Sequence, residues 1–282
     1  MSSEALDYGP VVQTARDYYN SADADNFYYT VWGGEDIHIG LYRDPQEAIA
    51  AASQRTVERM LGLSQDLDAT SRVLDLGAGY GGAARQIVKS TGARVAALNL
   101  SEVENRRNRQ LNQDQGLADR IEVVDGSFES IPFPDASFDV VWSQDAILHS
   151  ADRGKVLQET ARVLKPGGRF IFTDIMQTDD CPAGVLQPIL DRIHLDTLGT
   201  PRFYRETAAS NGLIEVGFED HTDQLVTHYG RVLAETQARA VELDPLVSAP
   251  YRARMKTGLQ HWVDGGLNGH LAWGIFQFQK TA

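Results

Sequence analysis

Short apolar runs alternate with helical stretches between residues 70 and 176, and this alternation indicates the fold. The first run, residues 73–76, is short and continuous, as expected for a buried strand. Comparable runs occupy residues 95–98, 137–143 and 169–174. In all, the pattern gives five strand–helix alternations, which predict an α/β fold with a parallel, doubly wound sheet.

The N-terminal pattern is different. Residues 10–20 predict a short helix, residues 20–25 predict a polar break, and residues 26–41 are rich in aromatic residues and glycine. Residues 45–61 are apolar at helical spacing and predict a helix packed on the sheet. We therefore expect an N-terminal cap beside the sheet.

The C-terminal part predicts an insertion followed by two strands. Residues 177–205 do not alternate as a strand and contain three prolines. We interpret them as an insertion over the carboxyl edge of the sheet, where ligands bind in such folds. Residues 214–218 and 271–278 predict the last two strands, with a helical segment at 228–243 between them. This pair fits an antiparallel edge of the sheet.

The first strand ends in a glycine-rich turn. Gly77, Gly79, Gly81 and Gly82 follow residue 76, and a stretch with helical character comes next. Glycines let the backbone approach a ligand closely, and the start of a helix offers free N–H groups. The turn therefore predicts a nucleotide-like cofactor at the carboxyl end of the first strand.

Two kinds of cofactor fit this turn. The spacing Gly77-x-Gly79-x-x-Gly82 satisfies the dinucleotide pattern, which also requires an acid at the end of the second strand. The chain has Asn99 there. An ionised Asp75, inside the first strand, would repel a pyrophosphate but suits a cofactor that carries a cation and an amine. Residue chemistry favours the cationic cofactor, with NAD or FAD as the weaker alternative.

Charge and composition limit the kinds of partner that the protein can bind. The 282 residues carry 26 basic and 39 acidic side chains, a net charge of −13, which disfavours a nucleic-acid substrate. Such a balance fits either an ordinary soluble enzyme or adaptation to high salt. No apolar stretch approaches the ~20 residues of a membrane span, and Cys181 is the single cysteine. The first seven residues lack the pattern of a signal peptide, so we expect a cytoplasmic protein.

Four ordered motifs resemble the class I S-adenosylmethionine-dependent methyltransferases. Residues 73–79 resemble motif I of that family, with residues 99–101 at the end of strand two. Residues 125–133 are similar to the motif beside the adenine, 137–143 to strand four, and 162–169 to the turn into strand five. The resemblance covers about residues 70–220.

This resemblance implies a Rossmann-like fold, with a mostly parallel seven-stranded sheet that has an antiparallel edge strand. It implies S-adenosylmethionine as the cofactor, S-adenosylhomocysteine as the product, and no metal. We expect one domain over residues 1–282. Its parts would be a cap and helix (1–62), the cofactor-binding core (70–176), a substrate-lid insertion (177–210) and C-terminal strands and helices (211–282).

The cofactor-binding residues follow from the positions that match the family. Asn99 stands where many relatives carry an acid for the ribose hydroxyls, and Ser127 stands where an Asp commonly meets the adenine amine. Phe128 could pack on the adenine ring. The residues expected at the cofactor are Tyr28, Trp32, His38, Asp75, Gly77, Ala78, Gly79, Asn99, Leu100, Ser127, Phe128 and Gln144.

The segment after strand four indicates where methyl transfer occurs. Residues 143–149 end in His149 and resemble the same segment of phosphoethanolamine methyltransferases. There the matching histidine pairs with an N-terminal tyrosine, which implies that His149 and Tyr19, or its neighbour Tyr18, form a catalytic pair here.

Aromatic residues are dense near the N-terminus and point to a cationic or methylated substrate. Residues 15–42 contain five tyrosines and one tryptophan, against 9% aromatic residues overall. Some of these rings pack the cap onto the sheet, and cation–π attraction to a sulfonium or methylated ammonium gives the surplus a purpose. With residues 190–195 and 261–266, this segment makes the chain similar to the sarcosine/dimethylglycine N-methyltransferases. That family makes glycine betaine from partly methylated glycine.

The resemblance implies a small-molecule amine substrate and a monomer or weak homodimer, without a nucleic-acid or membrane partner. Arg192 is our choice for the substrate carboxylate, with Arg205 and Arg43 as reserves. The other residues expected to bind substrate are Tyr18, Trp142 and Asp145.

The proposed reaction is an in-line displacement by a neutral amine. Holding an amine of pKa ~10.4 neutral at pH 7 costs ~4.6 kcal/mol, so a base or a desolvating cage is needed, and His149 with Tyr19 is the candidate. Alternatives remain: a methyltransferase acting on a sugar hydroxyl or phosphoethanolamine, a nicotinamide oxidoreductase, and a non-catalytic cofactor-binding module. The aromatic cage predicts the order dimethylglycine, sarcosine, glycine.

Overall fold

The computed structural model describes residues 9–64 and 67–281, so the segment considered for a signal peptide lies outside the described residues. The strands are β1 Arg72–Leu76, β2 Arg94–Asn99, β3 Ile121–Asp125, β4 Phe138–Gln144, β5 Leu164–Gln177, β6 Leu213–Asp220 and β7 Leu271–Lys280. The helices are α1 Pro10–Asn20, α2 Ala22–Trp32, α3 Ile49–Ser64, α4 Gly82–Thr91, α5 Glu102–Asp114, α6 Arg153–Val163, α7 Gln187–Ile193, α8 Pro201–Ser210, α9 Thr222–Ala238, α10 Ala240–Leu243 and α11 Ala249–Leu267.

The seven strands form one sheet in the order β3-β2-β1-β4-β5-β7-β6. Neighbouring strands from β3 to β5 are parallel, whereas β7 runs antiparallel to both β5 and β6. This confirms the predicted Rossmann-like sheet, with the antiparallel strand one place in from the edge. Because the strand order reverses between β1 and β4, a crevice opens at their carboxyl ends, where such folds bind ligands.

The central strands of the sheet are buried on both faces, which explains their continuous apolar runs. Val73 of β1 packs into one hydrophobic layer and Leu74 and Leu76 into the other, because successive side chains of a strand point to opposite faces. Trp142 of β4 is fully buried in the layer that holds Val73 and Ile171. The prediction that Trp142 binds substrate is therefore wrong: its position on the strand turns the ring into the core.

The structure has the start of a helix where the sequence predicted a polar break at residues 20–25. Only Ser21 separates α1 from α2, and its side chain accepts a hydrogen bond from the Ala24 N–H at 3.2 Å. Asp23 and Asp25 lie in the first turn, where carboxylates favour the positive end of a helix. The polar residues of this segment therefore start a helix, and α1 and α2 together form the cap.

The insertion and the C-terminal region contain more helix than the sequence predicted. Residues 177–205 hold α7 and the start of α8, and the helical segment expected at 228–243 begins earlier, with α9. The helix α11 was missed, although Tyr251, Met255, Leu259 and Trp262 are buried at helical spacing along it. Among the described residues, none of the helices is both long and apolar enough to cross a membrane.

Candidate active site

A first cavity lies at the carboxyl ends of β1, β2 and β4. Ten of the twelve residues predicted at the cofactor line it: His38, Asp75, Gly77, Ala78, Gly79, Asn99, Leu100, Ser127, Phe128 and Gln144. The other two, Tyr28 and Trp32, line a second cavity instead. They lie on α2, whose inner face packs toward α9 and α11 and away from the glycine-rich turn.

The turn after β1 has no room for a side chain at Gly77. Gly77 has a positive φ of 72°, and a Cβ there would lie 2.3 Å from the Cβ of Ala146. The N–H groups of Gly77 and Ala78 both donate to the Leu98 carbonyl, which ties the turn to β2. Glycine at this position therefore satisfies both the backbone conformation and the close approach of the chain after β4.

Buried acids surround the floor of the first cavity. Burial raises the pKa of Asp75 to about 7, and its Oδ2 atom has no hydrogen-bond partner among the described residues. Burial lowers the pKa of His38, but the carboxylates of Asp36 and Asp145 more than offset this, so its pKa is raised above the ordinary value. A cationic ligand fits this carboxyl-rich floor.

A carboxyl group also reaches the end of β2, where the sequence has Asn99. The Asn99 side-chain N–H donates to Glu104 at 2.9 Å, and burial raises the pKa of Glu104 to about 7. Glu104 comes from the first turn of α5, five residues further along the chain. Glu104 was not among the predicted residues, because the family pattern places the acid at the end of the strand itself.

The helix α1 covers the first cavity. Arg16 pairs with Glu102, and Ser101 donates its hydroxyl proton to the Asn20 side-chain oxygen at 2.8 Å. These contacts fasten the cap to the start of α5. Arg16 and Val12 consequently line the cavity from above, a contribution that local sequence patterns did not indicate.

The second cavity has aromatic walls. It lies between the cap, the insertion and the C-terminal helices, and its polar or aromatic lining residues include Tyr18, Tyr28, Trp32, Asp145, Arg192, His228, Tyr229 and Trp262. Trp142, in contrast, lines neither cavity. The site residues predicted from the sequence do not include His228, Tyr229 and Trp262, because helices far apart in the chain bring them to the cavity.

Five residues line both cavities and mark the place where they meet: Ala15, Tyr19, Ile37, Asp145 and His149. The Tyr19 hydroxyl lies 2.9 Å from His149 Nε2, so the expected side-chain pairing is present. Burial, together with Arg153 and Arg192, lowers the pKa of His149 to about 4, and burial raises the pKa of Tyr19 well above 10. At neutral pH the pair is therefore uncharged.

Asp145 links the segments around the junction, which is the place where the two cavities meet. It adopts a left-handed backbone conformation, with φ of 50°. One carboxylate oxygen accepts from the Ile39 N–H at 2.7 Å and the other from the Trp273 indole N–H at 2.7 Å. Both oxygens are thus engaged by the protein, and burial raises the pKa of the group.

Arg192, from α7, brings a cation to the second cavity. Among the described residues the charged or polar groups that act on it are tyrosines and no carboxylate, and its Nη2 lies 2.9 Å from the sulfur of Met255. Tyr18 lies in the same cavity, and its hydroxyl is 3.0 Å from those of Tyr28 and Tyr251. An anion beside Arg192 would also find hydroxyl donors there.

The two alternative candidates for the substrate carboxylate, Arg205 and Arg43, lie outside the second cavity. Arg205 pairs with Glu215 at 2.8 Å and packs over Phe218, and Arg43 is exposed in the loop before α3. Neither lines the second cavity. Within the described residues, no cluster of three or more His, Cys, Asp or Glu side chains has the arrangement of a metal site.

Comparison with known proteins places this chain in a family. A family model described as a methyltransferase domain matches residues 74–172. The chain is 62% identical over 269 residues to a sarcosine/dimethylglycine N-methyltransferase from Halorhodospira halochloris, covering 95% of this chain and 96% of that protein. A protein of the same name from Aphanothece halophytica is 56% identical over 270 residues, with 96% and 98% covered.

A solved structure agrees with these relatives. The crystal structure of a protein assigned as a sarcosine dimethylglycine methyltransferase from Galdieria sulphuraria has a TM-score of 0.87 to this chain at 47% identity. The match covers 92% of this chain and 98% of that one.

Proposed function

Because this chain belongs to the sarcosine/dimethylglycine N-methyltransferases, we propose that it methylates dimethylglycine and sarcosine with S-adenosylmethionine, forming glycine betaine. When bound, S-adenosylmethionine supplies a methyl group made electrophilic by its sulfonium. The single observation that carries the proposal is the junction of a carboxyl-rich cavity under a glycine turn with an aromatic, arginine-containing cavity.

The first cavity fits the cofactor on two observations. Gly77 brings its bare backbone to the wall of the cavity at a positive φ of 72°, and Asp75 presents a buried carboxylate oxygen without a partner among the described residues. Gly77, Ala78 and Gly79 would hold the cofactor at the turn, Asp75 its positive end, and Asn99 with Glu104 its ribose. Ser127 and Phe128 would contact the adenine.

The amine nitrogen would lie at the junction, beside Tyr19 and His149. Both side chains are uncharged at neutral pH, and Arg192 and Arg153 disfavour a further cation near His149. The junction would therefore bind the amine in its neutral, nucleophilic form, with the Tyr19–His149 hydrogen bond fixing its direction. Alignment of reacting groups contributes roughly 7–11 kcal/mol in such reactions, more than the ~4.6 kcal/mol of deprotonation.

Arg192 would bind the substrate carboxylate at the other end of the second cavity. A charge-assisted hydrogen bond contributes about 1.5–3 kcal/mol, which corresponds to about a 10- to 150-fold change in affinity. Arg192→Gln should therefore raise KM for dimethylglycine by that factor while kcat changes less. Arg205→Gln is the matched control, because Arg205 pairs with Glu215 outside the cavity.

The experiment that tests the function is a methyl-transfer assay with glycine, sarcosine and dimethylglycine side by side, read by product mass. Formation of glycine betaine from dimethylglycine supports the proposal. Activity on phosphoethanolamine or a sugar hydroxyl, with none on the three amines, would overturn it.

Three further expectations remain predictions of this proposal: a cytoplasmic location, a monomer or weak homodimer, and a reaction without a metal.

A further inference from the structure

The turn that carries His149 is short and depends on groups outside it. It spans Ile147–His149, shortly after β4 ends. Within the turn, the His149 N–H donates to the Ala146 carbonyl at 3.1 Å. The first N–H groups of such a turn have no partner inside it, so the Leu148 N–H needs an acceptor from another part of the chain.

Asp174, on β5, supplies that acceptor. Its Oδ1 accepts from the Leu148 N–H at 3.0 Å, and its Oδ2 accepts from the Tyr204 hydroxyl. Asp174 and Tyr204 are fully buried and line neither cavity. Asp174 therefore lies outside both cavities, yet it holds the residue that precedes His149.

The carbonyl group of Leu148 is held as well. Arg153 Nη2 donates to it at 2.7 Å and to the Thr197 carbonyl, in the insertion, at 2.5 Å. Two charged side chains from different elements thus fix the N–H and the C=O of Leu148. Because this C=O belongs to the peptide bond that joins Leu148 to His149, the backbone from which the imidazole ring extends is fixed with it.

A carboxyl group at the Asp174 position costs free energy. Burial raises the pKa of Asp174 to about 7, as expected for a group that is removed from water. Leucine has nearly the same branched shape and would avoid that cost, because an apolar side chain needs no hydrogen bonds when buried. The carboxyl group adds two hydrogen bonds, and one of them fixes the turn of His149.

We propose that Asp174 is a positioning residue for methyl transfer: through the Leu148 N–H it holds the His149 ring toward Tyr19 at the junction of the two cavities. The Tyr19 hydroxyl and His149 Nε2 are 2.9 Å apart, so a shift of the turn would break that contact. The inference rests on the proposed function for the reaction, and it adds a residue that acts on the reaction through another residue.

Asp174→Leu tests this assignment, because it keeps the shape and removes both acceptors. The kcat for dimethylglycine should fall by about 10- to 100-fold, since misplacing reacting groups by about 1 Å costs about 10²-fold. The affinity for S-adenosylhomocysteine, measured by calorimetry, should not change, because Asp174 lines neither cavity. Asp174→Asn keeps an oxygen that can accept from the Leu148 N–H, so it should retain most of kcat.

A double-variant cycle separates positioning from a merely structural role. In the His149→Ala background the ring is absent, so adding Asp174→Leu should lower kcat no further. If the two losses multiply instead, Asp174 does not act through His149 and the assignment is wrong.

Asp139→Leu is the matched control. Asp139, on β4, also accepts a backbone N–H, that of Arg72 at 2.8 Å, but it lies at the amino end of the strand, opposite the cavities. This change should lower the melting temperature and leave kcat unchanged. If Asp174→Leu does not fold, Asp174→Thr replaces it, because threonine suits a strand and its hydroxyl is one bond too short to replace Oδ1.

The outcomes separate this inference from the proposed function. Methyl transfer to dimethylglycine that continues at full kcat in the folded Asp174 variants would overturn this inference alone. Absence of transfer to any of the three amines by the unmodified protein would overturn the proposed function and this inference together.

Discussion

His149 and Tyr19 are a hydrogen-bonded pair that carries no charge at neutral pH. With its pKa lowered to about 4 by burial and two arginines, His149 is a weak acceptor for a proton from an ammonium group of pKa ~10. Tyr19, with its pKa raised by burial, keeps its own proton. The pair therefore suits orientation of a neutral amine better than removal of a proton from a charged one.

We expect His149→Ala to lower kcat by about 10²-fold, the effect of misplacing reacting groups by about 1 Å, because the amine is no longer held in line with the methyl group. Affinity for S-adenosylhomocysteine should barely change, because His149 lies at the junction and not on the cavity floor. Tyr19→Phe, which keeps the ring and removes the hydroxyl, should also lower kcat. Stopped-time assays and calorimetry measure the two quantities separately. Loss of cofactor affinity with full kcat would reverse the assigned roles.

The rate should depend on pH through the substrate amine. His149 stays neutral well above its pKa of about 4, so it does not titrate between pH 7 and 9. If only the free amine binds productively, kcat/KM for dimethylglycine at saturating S-adenosylmethionine should rise about tenfold per pH unit, up to a pKa of ~10. A profile that is flat from pH 7 would show that the enzyme binds the ammonium form and removes its proton in the complex.

Motif positions predicted the lining of the first cavity better than the lining of the second. Asp75 and Gly77 lie in a contiguous segment whose strand-turn-helix order fixes their place, and both line the predicted cavity. The prediction that Trp142 binds substrate was wrong, because a shift of one position along a strand moves a side chain from the cavity to the core. Glu104 was missed because a helix supplied the acid that was expected on a strand.

At the scale of elements, the turn between β1 and α4 gives a direct test. Gly77→Ala would place a Cβ 2.3 Å from that of Ala146 at a backbone φ of 72°, so the turn must move. We expect S-adenosylmethionine affinity to be lost, together with some thermal stability. Calorimetry and thermal melting measure both effects.

The matched control for this substitution is Gly62→Ala in α3. A Cβ at Gly62 meets no atom within 4 Å, and alanine is favoured over glycine inside a helix by about 1 kcal/mol. Gly62→Ala should therefore leave cofactor affinity unchanged and raise the melting temperature. Unchanged affinity in Gly77→Ala would remove the turn from the binding site.

The elements that the sequence predicted well are the strands that are buried on both faces of the sheet. The strands β1, β2 and β4 lie between helical layers, so their apolar runs are short and continuous and were placed within a residue or two. Helices that begin at polar residues were harder to predict. Ser21 starts α2 through a hydrogen bond that a run of polar residues conceals, and α11 buries only a narrow face.

At the scale of the whole molecule, the second cavity exists only when distant segments come together. Tyr28 of α2, Arg192 of α7 and Tyr229 of α9 meet around it, and no local pattern indicates that they share a wall. The cofactor cavity, in contrast, depends mostly on three neighbouring strands. For this reason the sequence predicted the lining of the first cavity well and that of the second cavity only in part.

The residues that line the second cavity predict which of the three amines the enzyme prefers. Tyr18, Tyr28 and Trp32 give it aromatic walls. The carboxylate that lines it in the described part of the chain, Asp145, already accepts from Ile39 and a tryptophan indole. The extra N–H groups of glycine would find no free carboxylate, whereas each added methyl group buries apolar surface.

We therefore expect kcat/KM to fall in the order dimethylglycine, sarcosine, glycine. Burial of one methyl group contributes roughly 0.8 kcal/mol, or about fourfold per step, so the preference should be graded. Initial rates with the three amines at one pH, corrected for the fraction of each that is unprotonated, give the comparison directly. The correction matters because the free amine is the reactive form. A corrected preference for glycine over dimethylglycine would show that N–H acceptors, and not aromatic faces, surround the nitrogen.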